Sequence, residues 1–284
     1  MVRRIGLVLV LFLLAACNPV KPEFVSPLLV PKSIKVYLPT VLNGYQQSKK
    51  CVALSDGFEI SRMVELGSRC TYSYNPSSQM LPGGIEMLGM VQYPNGLKVV
   101  GDAGAILGFN EPDSHITPAQ AAEVWPQVIA LNPGKAVVSP APSHLFPEWL
   151  SEFYAAHVAR WGIAPKLDVL AIHCYSSADE CIRIVSQGIA RAKAWNIPQV
   201  WVTEFAFSAD WQSAYPAGST WRSEAEKFID WMNAQPLITR YYWWSMSYDP
   251  GNRAQWWSYG WPTNLYDWTT KQLNERGRFY QGLP

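Results

Sequence analysis

The sequence predicts an α/β fold, a (β/α)8 TIM barrel in a single domain, and three observations carry the prediction. Between residues 46 and 284, eight short β-prone apolar runs alternate with longer segments whose apolar residues recur at helical spacing, the pattern of repeated βα units. That stretch is close to the ~250 residues of a typical barrel. An open doubly wound sheet also alternates strands and helices, but eight uninterrupted units with no Gly-rich phosphate turn after the first strand favour closure.

Residues 1–16 precede this domain and read as a lipoprotein signal peptide. Arg3 and Arg4 lead into the apolar run 5–14, then Leu14-Ala15-Ala16-Cys17. The run is far shorter than the ~20 residues that span a bilayer. Leu-Ala-Ala-Cys resembles a bacterial lipobox, so Cys17 is expected to be acylated and to become the N-terminus. The rival is an ordinary signal peptide with an incidental cysteine. Residues 17–45 carry Pro19, Pro22, Pro27, Pro31 and Pro39 without helical or strand period, as an extended tether would. The expected location is extracytoplasmic, lipid-anchored at the bacterial cell surface or the periplasmic face.

Within the domain, the strands are predicted at 51–54, 70–74, 85–91, 105–110, 136–140, 167–175, 199–207 and 240–247. Thr117-Pro118-Ala119-Gln120 is a capping-box start with proline at the first helical position. Pro126 is expected to kink or break the helix that follows. Ile182, Val185 and Ile189 form one packing stripe; Trp221, Ala225, Phe228, Ile229 and Met232 form another. Residues 75–84, rich in Pro, Ser and Gly, are the weakest helix and read equally as a loop.

The 23 basic and 22 acidic residues nearly cancel, which argues against a nucleic-acid partner. Export would permit disulfides among Cys51, Cys70, Cys174 and Cys181. Of the three possible pairings, Cys174 with Cys181 would staple one loop, and Cys51 with Cys70 would join the starts of neighbouring strands. Each would contribute ~2–4 kcal/mol. A zinc site is the alternative, weakened because no pair has CxxC spacing and only His173 adjoins a cysteine.

Barrels present reactive groups at the C-terminal ends of strands. Glu111 follows the fourth strand in Gly108-Phe109-Asn110-Glu111-Pro112-Asp113, and Glu204 lies on the seventh in Val202-Thr203-Glu204-Phe205. Cleavage of a glycosidic bond needs one carboxylic acid at the leaving oxygen and one carboxylate at the anomeric carbon. Strands four and seven lie across the mouth of an eight-stranded barrel, so the pair could converge on one sugar. A glutamate flanked by apolar strand residues, as Glu204 is, would be costly unless paired or used. Asp113 lies close enough to Glu111 to compete. Most of the fourteen tryptophans follow Glu204, and their flat apolar faces suit stacking on a pyranose. Trp244 is expected at the floor of the cleft and Trp256 and Trp257 on its walls, although packing beneath a loop is as good a reading for each. Trp195, Trp221 and Trp231 are assigned to packing. His173 either hydrogen-bonds substrate or is a core histidine with a backbone partner.

The segments Gly-Phe-Asn110-Glu111-Pro112-Asp113, Val138-Ser139-Pro140-Ala141, Trp149-Leu150-Ser151-Glu152-Phe153, Leu167 through Tyr175, and Val202-Thr203-Glu204-Phe205 occur in this order. As a set they resemble the glycosyl hydrolase catalytic-core family that contains glycoside hydrolase family 128, clan A barrels acting as endo-β-1,3-glucanases. The resemblance implies Glu111 as acid/base and Glu204 as nucleophile, with retention through a covalent glycosyl-enzyme. It further implies that Asn110 bonds the sugar 2-hydroxyl, that Tyr175 orients Glu204 or helps lower its pKa, and that Tyr74 and Asn75 face the cleft. The sequence departs from the family where Ser73 and Pro76 flank the Tyr-Asn pair in place of a tryptophan, and at His173-Cys174-Tyr175. These changes bear on linkage preference.

The expected function is therefore retaining, endo-acting hydrolysis of β-1,3-glucan by a monomer that needs no cofactor and no metal. Two alternatives stand beside it: hydrolysis of another β-glycan such as mannan, xylan or mixed-linkage glucan, and a surface lipoprotein that binds glycans without cleaving them.

Overall fold

The computed structural model describes residues 48–53, 61–143, 146–246, 263–267 and 269–284. The Cys17 anchor, the tether, Trp256 and Trp257 lie outside the described residues, among which no helix is long and apolar enough to cross a membrane. In chain order the elements are β1 (Lys50–Ala53), α1 (Ser61–Glu65), β2 (Cys70–Tyr72), β3 (Ser77–Leu81), β4 (Ile85–Met90), β5 (Val100–Gly101), β6 (Ala105–Leu107), α2 (Pro118–Leu131), β7 (Ala136–Val137), α3 (Glu148–Trp161), β8 (Val169–Cys174), α4 (Ala178–Ala194), β9 (Gln199–Phe205), α5 (Trp221–Ala234), β10 (Ile238–Trp243) and α6 (Glu275–Gln281).

The fold is α/β with a mostly parallel sheet. Parallel ladders join β8, β9, β10, β1, β2 and β4 in that order, and β6 and β7 continue from β4. Named ladders stop between β7 and β8, where the sheet is not closed. The contact there is an isolated parallel bridge, Val138 with Val169, and two bonds, Ser139 N to Val169 O at 2.9 Å and Asp168 N to Val137 O at 2.8 Å.

Away from its register shifts, side chains alternate across this sheet with the two-residue period of a strand. Val52, Ile106, Leu170, Ile172, Val202 and Trp243 share one buried cluster with helix residues such as Trp125, Val185 and Phe228. Their neighbours Ala53, Leu107, Ala171, Trp201, Tyr242 and Trp244 form a second cluster on the other face. The helices dock on the first face through the stripes read from the sequence: Val185 is buried, and so are Trp221, Ala225, Phe228, Ile229 and Met232. Thr117 closes the capping box at α2, its hydroxyl accepting from Gln120 N. Disulfides link Cys51 to Cys70 and Cys174 to Cys181.

Two local expectations are corrected. Residues 75–84 contain a strand: β3 lies antiparallel on β4, with Gln79 opposite Met87. The turn between them is supplied by Gly83 and Gly84 at φ 81° and 74°, a left-handed path that glycine takes at little cost. Of the kink or break expected at Pro126, the break does not occur: α2 runs on to Leu131. One lost backbone bond is outweighed there by burial of Ala121, Ala122, Trp125 and Val128.

Candidate active site

Glu111 reaches the site through a close approach of two strands. A Cβ on Gly108 would lie 2.8 Å from both Pro140 N and Val138 O, so glycine allows β6 to run hard against the chain leaving β7. The contact continues as a parallel bridge between Asn110 and Ala141, and Glu111 N donates to Ala141 O at 2.9 Å. The backbone then turns at Glu111 itself, φ 42° and ψ 50°. That left-handed conformation costs a non-glycine residue on the order of 1 kcal/mol or more and concentrates at functional sites. Ser114 holds the turn, its N and Oγ donating to Glu111 O at 3.2 and 2.8 Å.

Glu204 arrives by a different device. Simple alternation along β9 would send Val200, Val202 and Glu204 to the same face, among the helices. Opposite β8 the register steps from Ile172–Val202 to His173–Glu204. Opposite β10 it steps from Tyr241–Val202 to Trp243–Phe205. Both neighbours thus see one extra residue, Thr203, a β-bulge that reverses the phase of all that follows. Phe205 joins the helix-side cluster, and Glu204 turns to the opposite face.

Three phenols meet it there. Tyr72 and Tyr74 each donate to Glu204 Oε1 at 2.9 Å, and Tyr175 donates to Oε2 at 2.6 Å. Trp244 Nε1 in turn donates to Tyr74 Oη at 2.8 Å; the peptide bond from Trp244 to Ser245 is cis. The Glu204 side chain is 5% exposed. Burial is the largest influence on it and raises its pKa above the ordinary carboxylate range; the Glu111 charge adds to this, while His173 and the phenol bonds oppose it. The same burial, with the Glu204 charge, pushes all three tyrosines well above their usual value, so they remain donors.

His173 stands between the two acids. Its Nδ1 is 3.5 Å from Glu111 Oε1 and 3.6 Å from Glu204 Oε2, and the ring is buried, whereas the Glu111 side chain is 39% exposed. Burial disfavours the imidazolium, but the neighbouring carboxylates outweigh it and the His173 pKa is raised. One atom from each of Glu111, His173 and Glu204 lies within 4.8 Å of the other two. A buried carboxylate and a half-open one therefore face each other at a distance that one sugar ring can bridge.

The remaining candidates divide. Asn110 is half-buried beside Glu111. Trp244 packs edge-on against Tyr175, ring centroids 6.4 Å apart. Asn75 is exposed, and its N donates to Ser73 Oγ. Asp113 accepts from Ser143 N at 2.9 Å, so it serves the neighbouring loop. Trp195 stacks on Tyr154 and Trp231 on Phe228. Sequence reasoning missed Tyr72, although the spacing Cys70-Tyr72-Tyr74 at i, i+2, i+4 places it on the face of the already suspected Tyr74. It also missed Trp211, which meets the Tyr175 ring edge-on at 6.2 Å.

The profile of the glycosyl hydrolase catalytic core matches residues 91–268, a span that holds both glutamates, His173 and Tyr175. The chain belongs to this family. It is thus an O-glycosyl hydrolase by family. No curated protein matches it significantly. Solved structures of glycoside hydrolase family 128 share the fold of this catalytic core. A curdlan-specific exo-β-1,3-glucanase from Blastomyces gilchristii, in complex with glucose, is 21% identical, covers 83% of this chain and 98% of its own, and has a TM-score of 0.62. An endo-β-1,3-glucanase from Amycolatopsis mediterranei, in complex with laminaritriose, is 22% identical over 82% and 98%, at 0.63. One from Sorangium cellulosum is 22% identical over 84% and 99%, at 0.59.

Proposed function

We propose that this protein hydrolyses β-1,3-glucan by double displacement with retention. Glu204 attacks the anomeric carbon, and Glu111 protonates the leaving oxygen and then activates water. The observation that carries the reading is the convergence of the two carboxylates, an oxygen of each within 4.8 Å of the other. That is close to the ~5–5.5 Å of retaining enzymes and short of the ~6.5–9.5 Å that inverting ones need for an interposed water. The unequal environments support the division of labour. Glu204, gripped by three phenols, is oriented to act as nucleophile, while the exposed Glu111 can exchange protons with solvent and leaving group. Asn110, Tyr74, Asn75, His173 and Trp244 are assigned to the cleft around the sugar, with Trp256 and Trp257 as its walls. His173, facing both acids, steadies their charge as it shifts between them.

The glucan assignment draws on the similarity to family 128 structures, which include exo- and endo-acting enzymes; we read the action here as endo. We also read the sheet as a closed (β/α)8 barrel, sealed by the bridge between Val138 and Val169. Domain boundaries at 1–16, 17–45 and 46–284, monomeric behaviour and export with acylation at Cys17 belong to the same proposal. Two disulfides suit an exported protein.

The test is a polysaccharide panel, with laminarin and curdlan beside xylan, mannan and mixed-linkage glucan. Laminarin should yield mixed oligosaccharides early, with the β-anomer first by NMR. Glucose as the sole early product would replace endo with exo action; the α-anomer would overturn the mechanism, and binding without cleavage would leave a glycan-binding protein.

A further inference from the structure

The trio that faces the sugar also has the composition of a transition-metal site. His173 Nδ1 is buried and has no hydrogen-bond partner; its two approaches, 3.5 Å to Glu111 Oε1 and 3.6 Å to Glu204 Oε2, are contacts of charge without hydrogen-bond geometry. A buried ring nitrogen set between two carboxylates is costly to leave unmet. We propose that Glu111, His173 and Glu204 bind one zinc-class divalent ion, which occludes the cleft and inhibits the enzyme in competition with the glucan. The inhibition rests on the hydrolase reading above; the binding does not.

The geometry suits such an ion. Zinc takes imidazole nitrogen and carboxylate oxygen at about 2.0–2.2 Å, so donors around a tetrahedral ion stand roughly 3.4 Å apart. Both separations from His173 already have that size. Only the two carboxylates, within 4.8 Å, must draw together, and Glu111 is the one with freedom to do so, at 39% side-chain exposure. Glu204 Oε1 already accepts from two phenols, whereas Oε2, the oxygen nearer His173, accepts only from Tyr175 among the described side chains. A lone pair on Oε2 is therefore free for a metal. Three protein ligands leave a fourth position for water on the cleft side. Two anions and a neutral imidazole cancel the charge of a divalent ion, and one nitrogen with two oxygens selects zinc or copper over magnesium and calcium, which require more oxygen ligands.

The test titrates zinc chloride into the metal-free full chain by calorimetry, beside laminarin hydrolysis at matched ion concentrations. One ion per chain is expected at micromolar affinity, with competitive inhibition that EDTA reverses and magnesium does not reproduce. His173→Gln should weaken binding at least ten-fold, and Glu111→Gln, on the exposed ligand and so without risk to the fold, should do the same. Absence of binding, unchanged affinity in the Glu111→Gln variant, or zinc that fails to compete with laminari-oligosaccharide would overturn the site. Zinc binding by a chain that cleaves no glucan would sink the hydrolase reading and leave the metal site standing; cleavage without zinc binding would do the reverse.

Discussion

Glu86 and Glu204 lie on strands of the same sheet and turn to the same face, yet they are served in opposite ways. Glu86 stands two and four residues before Leu88 and Met90, which belong to the non-helical cluster. Near the N-terminal ends of the strands its Oε2 meets the Arg240 guanidinium at 2.7 Å, and Gly104 N donates to its Oε1 at 3.2 Å. Arg240 itself lies 4.4 Å over the Trp201 ring, and although burial disfavours its charge, Tyr242 and Glu86 hold its pKa above the usual value. Glu204, at the other end of the strands, has no permanent cation among the described residues: it receives three phenol hydrogen bonds and shares one imidazole with Glu111. A guanidinium satisfies a buried carboxylate and makes it inert. Neutral donors orient the carboxylate while leaving its charge available to an electron-poor carbon.

The largest test of this contrast exchanges each glutamate for glutamine. Glu204→Gln should lower laminarin turnover at least about a thousand-fold, as removal of a nucleophile does elsewhere, with a circular dichroism spectrum unchanged. Its unfolding midpoint should hold or rise near neutral pH. The native pKa of Glu204 is raised, so the stability it contributes in acid is lost as pH climbs from the ordinary carboxylate range through that raised value. The gap between the two proteins in denaturant should close in acid. Activity that survives in the variant removes Glu204 from the chemistry.

Glu86→Gln should do the reverse. It strands Arg240 without its anion, and since the side chains are 18% and 27% exposed, the cost should be roughly 2–4 kcal/mol, somewhat below that of breaking a fully buried pair. A urea titration reads it directly. Activity per folded molecule should stay within about two-fold, and a specific loss would mean that the lower cluster reaches the chemistry.

Glu111 and Glu204 were both visible in the sequence, but only Glu111 could be understood there. Asn110-Glu111-Pro112 after an apolar run marks a strand end, and the cap of α2 and the stripes of α4 and α5 were legible because capping and helical periodicity are local. The bulge at Thr203 was not. Val200 through Phe205 reads as simple alternation, which would bury Glu204 against helices. The phase shift exists only in the pairing with Ile172–His173 and Tyr241–Trp243. Register is a property of two strands, and so are the Glu86–Arg240 pair and the Tyr72–Glu204 bond, whose partners lie more than a hundred residues apart. The β3–β4 hairpin was hidden for another reason: its glycines mark a turn without saying what flanks it.

The smallest effects make the sharpest comparison, because one change, tyrosine to phenylalanine, can be made at each end of the same interior. Tyr72→Phe and Tyr175→Phe each delete one donor to an anion. A hydrogen bond to a charged group contributes about 1.5–3 kcal/mol, so kcat/KM should fall about ten- to hundred-fold. The fall should be steeper for Tyr175, whose bond is the shorter at 2.6 Å. Tyr242 lies beside Arg240, which already has Glu86 as its anion. Tyr242→Phe should therefore change stability by no more than about 1 kcal/mol and leave hydrolysis at the wild-type rate. Equal losses of activity from Tyr242→Phe and Tyr72→Phe would show that the two clusters act as one electrostatic unit, and the division between an inert carboxylate and a reactive one would have to be abandoned.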